Sequence, residues 1–186
     1  MRSALALFFI VVCTAMLAAC VETNLVLIPE ENAVFVAGLE GQWTMEHEPE
    51  TVLCMRIQPD SLFYELTNPD DPGEVVIMAF LPLIEHHYLV RWEEEGEEGP
   101  EVLYTIVRQE LDGLFAAMLS EKPEIVDQAA QAAGYPDTAY DVGDYSLLLT
   151  HPDREQQLMF LAALAELSHE FPGLRYTKVG ELPCSP

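Results

Sequence analysis

Residues able to do chemistry are plentiful in this chain, but few stand at the spacing that chemistry requires. There are five histidines. His86 and His87 are adjacent, so on a strand they point to opposite faces and cannot chelate one ion. His47 beside Glu48, and the isolated His151 and His169, lack the His-x-x-x-His spacing that puts two imidazoles on one helix face. Ser61, Ser120, Ser146 and Ser168 lie in no Gly-x-Ser-x-Gly turn, and Cys54 has no neighbouring general base. With 32 carboxylates in 186 residues, no acidic pair stands out as an acid–base couple. The stretch Glu93 to Glu98 would attract a hard cation, but it lacks the alternating Asp/Asn pattern and fixed glycine of a calcium loop. It reads instead as a solvated hairpin tip whose like charges discourage edge pairing. The sequence therefore predicts no catalytic centre, no metal site and no cofactor, and hence a non-enzymatic protein.

One cysteine stands apart. Arg2 precedes an apolar and small-residue run from Ala4 to Ala19, long enough for a signal-peptide core and short for a spanning helix. The run ends at Leu17-Ala18-Ala19-Cys20. Small side chains before the cut suit a narrow peptidase site, and the thiol after it is the nucleophile. The pattern resembles the lipobox of bacterial lipoproteins. The resemblance implies diacylglycerol transfer to Cys20, recognition of Leu17, Ala18 and Ala19 by the signal peptidase, cleavage before Cys20, and N-acylation with a fatty acid such as palmitate. The covalent lipid is then the only prosthetic group, and two or three acyl chains suffice for a stable anchor.

Loss of the leader removes Arg2 and takes the net charge from −24 to −25. So few basic residues disfavour a nucleic-acid surface and direct adsorption to anionic headgroups, which leaves the acyl chains as the membrane contact. The acidity fits either solubility or a basic partner. The other cysteines have separate fates. Cys13 leaves with the leader, while Cys54 and Cys184 are a candidate disulfide in a compartment where disulfides persist, or two separate thiols. Closing so long a loop contributes at most about 5 kcal/mol in the chain-entropy model.

The elements fall in order behind the anchor. Residues 1–19 are the leader, 20–33 read as a lipidated tether, and 34–186 read as a single α+β domain. Gly38 to Trp43 opens the first strand of the domain. Thr51, Leu53, Met55 and Ile57 alternate with mixed residues, as do Leu62, Tyr64 and Leu66, and Asn68 to Gly73 is a strong loop signal. Val75 to Leu81 is apolar at every position, the mark of a strand covered on both faces. His87 to Glu93 and residues 102–110 form an arm, and Asp112-Gly113 is a hairpin signal. About seven antiparallel strands thus precede two helices. The first is capped by Ser120, with Pro123 in its first turn and Gly134 as its stop. The second has a Thr150/Asp153 capping box and a stripe of Leu158, Leu161, Ala162 and Ala165. Residues 145–149 form a strand between them, and 174–179 a closing strand.

Gly41-x-Trp43, the meander and the late helix resemble lipocalin-like bacterial lipoproteins over residues 38–120. The resemblance implies a half-barrel; a curved open sheet wrapped around the Leu158 helix fits the same pattern. Trp43, Tyr88 and Trp92 are the candidate apolar pocket, with core packing as the alternative role for these rings. Three functions follow as expectations: an envelope-assembly or protein-interaction module, a carrier of a lipid or other small apolar ligand, or an acidic inhibitor of a basic protein. All place the chain in the cell envelope. In a diderm cell, Val21 after the lipidated cysteine favours the outer membrane, facing the periplasm.

Overall fold

The computed structural model describes residues 20–96, 99–144 and 146–181, with backbone alone over 71–74, 94–96 and 99–101. The leader, residues 1–19, and Cys184 lie outside them. After a short strand β1 (Cys20–Thr23), seven strands follow one another up and down: β2 (Gly41–Met45), β3 (Glu48–Ile57), β4 (Tyr64–Asn68), β5 (Asp71–Ile84), β6 (His87–Gly96), β7 (Gly99–Gln109) and β8 (Gly113–Ala117). Each of these after β2 is antiparallel to the one before it. Two short strands, β9 (Tyr140–Val142) and β10 (Ser146–Leu149), come next among the helices. Strand β11 (Gly173–Gly180) then enters antiparallel between β8 and β2 and closes the sheet. The product is an eight-stranded antiparallel barrel within an α+β domain. Closure decides between the two expected shapes: the sheet is a barrel, and the helix expected in its concavity packs outside.

Period-two alternation sorts the side chains into two cores. Trp43, Met45, Met55, Tyr64, Leu66, Met78, Phe80, Val90, Val107 and Leu114 fill the barrel. The intervening Ala79, Leu89, Tyr104, Ile106, Phe115 and Ala117 face outward into a second core. Two-sided cover over the expected span Val75 to Leu81 is complete only at Met78 to Phe80; Val75, at the start of the run, is exposed. The expected long loop at 68–73 contracts to a turn at Pro69-Asp70, because Asn68 pairs directly with Asp71. The β3–β4 and β5–β6 turns contain Asp60 and His86 at positive φ, 62° and 59°.

Residues 33–40 seal one end of the barrel. Val36 and Leu39 are buried in the interior cluster. The Tyr64 hydroxyl accepts from the Val36 N–H at 2.9 Å and donates to the Val36 carbonyl at 3.1 Å. The Trp43 indole N–H donates to the Leu39 carbonyl at 2.8 Å. The Gly41-x-Trp43 signal has a backbone origin as well: Gly41 sits at φ +139°, and a side chain there would run into the Gly180 carbonyl of β11.

The second core lies under two helices, α1 (Pro123–Ala133) and α2 (Arg154–Glu166). Pro123 opens α1 and Gly134, at φ 64°, ends it in the left-handed conformation. Ser120 does not cap it: Leu119–Glu121 forms a separate 3-10 turn, and the N-cap position is Lys122. In α2 the cap is Asp153 alone, whose carboxylate accepts from the Glu155 and Gln156 N–H groups. Its buried face is Gln157, Phe160, Leu161, Leu164 and Ala165, rotated from the expected stripe because the helix touches the barrel on one side and α1 on the other.

The segment 20–33 departs most from expectation. Its sequence reads as a tether, but it is part of the fold. Strand β1 lies antiparallel to β7 at Tyr104 and Thr105 and parallel to β10, which in turn pairs with β9. Leu27 and Ile28 are fully buried. The Leu27 N–H donates to the Tyr104 hydroxyl at 3.0 Å, and its carbonyl accepts from Arg154 at 3.1 and 2.7 Å. The physical reason is the apolar patch Leu25 to Ile28, which has a place in the helix-side core. Cys54 is buried on β3 and disulfide-bonded; its expected partner, Cys184, is outside the described residues.

These contacts make Leu27→Ala a direct test. It is expected to cost about 2–5 kcal/mol, as other buried leucine truncations do, when urea unfolding of the variant is compared with the parent. A tether residue would show no change.

Candidate functional site

Of the three expected pocket residues, Trp43 and Trp92 line one interior cavity, with Leu53, Met55, Met78, Phe80 and Tyr176. Tyr88 packs edge-on against Phe80, 6.2 Å between ring centroids, and does not line it. The cavity measures about 20 Å³. On the same measure about 10–15 Å³ is enough to hold one water, whereas ligand pockets run to about 300–1,000 Å³. The rings are therefore core in this conformation. They are packed as small barrels usually are, with side chains meeting across the lumen.

Two details of the lumen are unusual. The Trp92 indole N–H is buried with no hydrogen-bond partner, whereas that of Trp43 is satisfied by Leu39. Tyr176 is buried in the same lining, and loss of solvent pushes its phenol well above the ordinary tyrosine range, so it stays protonated. A wider, shallower concavity of about 520 Å³ lies at the sealed end, between the β7–β8 hairpin and the end of β11. Its cation, Lys178, is held by the Glu181 carboxylate at 3.0 Å.

The structure also assembles a polar cluster that no sequence spacing announces. His87, at the start of β6, lies 2.9 Å through Nε2 from Ser168 Oγ, and its Nδ1 is 2.8 Å from the Glu85 carbonyl. A carbonyl only accepts, so Nδ1 carries the proton and Nε2 accepts from the serine hydroxyl. The Arg108 guanidinium donates to the same Ser168 Oγ at 3.4 Å and to Glu110 at 2.7 Å. Arg175 completes the group, reaching Glu110 at 3.5 Å, and both arginines lie over the Phe115 ring. Serine and histidine stand at nucleophile–base distance, and the base is oriented by a third group. Ser168 is only 2% exposed, however, so a substrate carbonyl has no approach to Oγ. What the cluster does is tie the chain just after α2 to the β5–β6 hairpin and to β7. The residues are 81 and 60 positions apart in sequence, which is why no local motif reveals them.

His86, by contrast, is exposed in the β5–β6 turn beside Glu85; His169 follows Ser168 in its turn but is exposed beside Glu170, and His47 and His151 lie on other parts of the fold. Among the described residues no three His, Cys, Asp or Glu side chains converge as a metal site. Glu93 pairs with Arg91; the rest of the acidic tip has no described side chains. Cys20, the expected lipidation site, is a buried, reduced thiol at the start of β1.

Burial lowers the His87 pKa below its ordinary 6.5, with the Arg108 and His86 charges adding to the effect. The folded state thus binds this proton less readily than the unfolded chain. Its contribution to stability is complete above about pH 6.5 and is lost as pH falls below that value toward the folded pKa. His87→Gln is expected to flatten this part of the profile. The check is urea unfolding of parent and variant at pH 7.5 and 5.5, with the difference between the two proteins as the readout.

Comparisons with protein-family models, with curated proteins and with solved structures find no match, so the functional reading rests on this chain's own residues.

Proposed function

We propose that the chain is the precursor of a cell-envelope lipoprotein, anchored through acylated Cys20, whose acidic barrel is a non-enzymatic protein-interaction module. The anchor rests on Leu17-Ala18-Ala19-Cys20 and the apolar run before it. Among the described residues no helix is long and apolar enough to cross a membrane; the apolar run lies outside them. In a diderm cell, Val21 favours the outer membrane, facing the periplasm.

The observation that carries interaction over carriage is the filled lumen, with a cavity of about 20 Å³. Charge narrows the partner. The mature chain has seven basic side chains, and each is engaged internally. Arg56 pairs with Glu65, Arg91 with Glu93, Lys122 with Glu124 and Lys178 with Glu181; Arg108 and Arg175 share Glu110. Arg154 is spent on the Leu27 carbonyl. The charge left to face a partner is carboxylate, which suits a basic protein surface and favours fast, salt-sensitive association. An acidic inhibitor of a basic protein is the strong-binding limit of this reading.

A second reading, a carrier of a small apolar molecule, is favoured by one observation: the unpartnered Trp92 N–H buried at the lumen. A ligand that opened the barrel and offered one acceptor would satisfy it.

Native mass spectrometry of the mature protein extracted from its own envelope in mild detergent separates the readings. A co-purifying basic polypeptide is expected, and it should dissociate between about 0.15 M and 1 M salt as the screening length falls from about 8 to 3 Å. A small added mass lost on activation would install the carrier reading instead. Cys20→Ser should leave an unprocessed precursor or a protein released from the membrane; an unchanged mature membrane form overturns the anchor.

A further inference from the structure

The lipoprotein reading and the folded position of Cys20 make incompatible demands on one side chain. Cys20 lies directly opposite Thr105 of β7 and beside Ser146 of β10. Thr105 is two residues from Val107, whose side chain is in the barrel core, so it belongs to the inward-facing set, and it is 3% exposed. Its cross-strand neighbour Cys20 therefore points inward too, and it is 2% exposed. The next residue, Val21, points the other way into the helix-side core.

Acylation places a large group on that inward sulfur. The Cys20 thiolate supplies the electron pair for a new Sγ–C bond to a glyceryl carbon. That carbon's bond to the phosphate oxygen of a phospholipid donor breaks, and the thiol proton passes to solvent. The glyceryl group brings two acyl chains with it. The lumen cavity, which reaches this wall at Val107, two residues from Thr105, measures about 20 Å³, room for about one water and far less than one acyl chain. The modified side chain cannot stay where the thiol is.

We infer that docking of β1 and acylation of Cys20 exclude each other, so that lipidation releases residues 20–26 from the body as a strap. The inference rests on the lipoprotein reading for its trigger and on the fold for its geometry. The release stops at Leu27, because Leu27 and Ile28 are fully buried and Leu27 is held by Tyr104 and Arg154. Before that point β1 meets β7 at two register positions and β10 at four, with Val21 buried and the Thr23 hydroxyl donating to Gln157, while Val26 beyond it is exposed. Seven released residues span at most about 23–25 Å when extended, enough to stand a strongly acidic body off an anionic bilayer. Undocking also uncovers the β7 edge at Tyr104–Thr105 and the β10 edge at Ser146–Leu149.

Hydrogen exchange on two preparations of the mature chain tests this. In the unlipidated chain, the amides of residues 21–23, which lie between β7 and β10, should be protected. In the lipidated protein in mild detergent, they should exchange at least about tenfold faster, while amides of α2 stay unchanged. Equal protection in both forms overturns the strap. A chemical arm removes the dependence on the cell. An N-alkyl maleimide adds the Cys20 sulfur across its double bond, the thiol proton ending on the adjacent carbon. Cys20 should react at least about tenfold more slowly in the folded chain than in urea, as a docked strand requires. The purified adduct should then show the same loss of protection. An adduct with β1 still protected defeats the strap even if Cys20 is lipidated in the cell. Native protein with no lipid mass on Cys20 defeats the lipoprotein reading, and the maleimide result still decides whether docking and modification conflict.

Discussion

The constraint on which this fold depends is a barrel wall buried on both faces. Strands β5 to β8 pack inward against Trp43, Tyr64 and Tyr176 and outward against Phe160, Leu161 and the α1–α2 layer. A two-sided wall admits no polar alternation, which is why Ala79 and Leu89 are as buried as Met78 and Val90. It also fixes where the helices go. Packing them inside would displace the lumen side chains, so they lie outside, and the final strand must cross over them to close the barrel between β8 and β2. Burial of this kind scales with apolar area removed from water at roughly 25 cal/mol per Å². The long-range pairing of β11 with β2 is supported by the barrel core, where Trp43, Met45, Leu174 and Tyr176 are buried together.

Where sequence and structure agree, the information is local. Alternation identifies the meander strands, Pro123 and Gly134 bound the first helix, and the apolar run at 75–81 announces a wall that is covered on both sides at its centre, Met78 to Phe80. The disagreements come from contacts that span the chain. Nothing near Ser120 or Thr150 shows that neither caps a helix, because the choice between Thr150 and Asp153 depends on where the chain enters the helix layer. The α2 stripe is out of phase for a related reason: it serves two neighbours, and Gln157 is buried because Thr23 and the His151 carbonyl give its amide partners. The segment 20–33 reads as a tether because its composition is mixed. Its fate is settled by Arg154 and Tyr104, which lie 127 and 77 positions from Leu27.

The polar cluster at the end of α2 shows how geometry alone can mislead about chemistry. Ser168 and His87 have the distance and tautomer of a nucleophile and its base. Yet the arginine that donates to the serine also clamps Glu110, and the hydroxyl is sealed from solvent. Buried polar groups need partners or they cost about 1–3 kcal/mol each. Here the partners come from the 3-10 turn after α2, the β5–β6 turn and β7, so satisfying the group also joins the helix layer to the barrel. Its neutral histidine follows from burial beside a guanidinium, a structural consequence that resembles catalytic tuning.

The filled lumen and the buried Cys20 bear on one another. A barrel with an open ligand cavity would have room for the lipid of its own anchor and no reason to expel β1. This one has Phe80, Met78 and Tyr176 in that space, so on the proposed lipoprotein reading acyl chains on Cys20 would have no place there and the strand carrying them would undock. The same packing that argues against cargo would then set the geometry of the anchor. Leu27 and Ile28 would remain in the helix-side core while Val21 left it with the strand, and the distance to the membrane would be set by a segment of defined length. With the described cations engaged within the molecule, nothing in the body draws it back to an anionic surface. Its carboxylates are held in the aqueous space, where a basic partner would meet them.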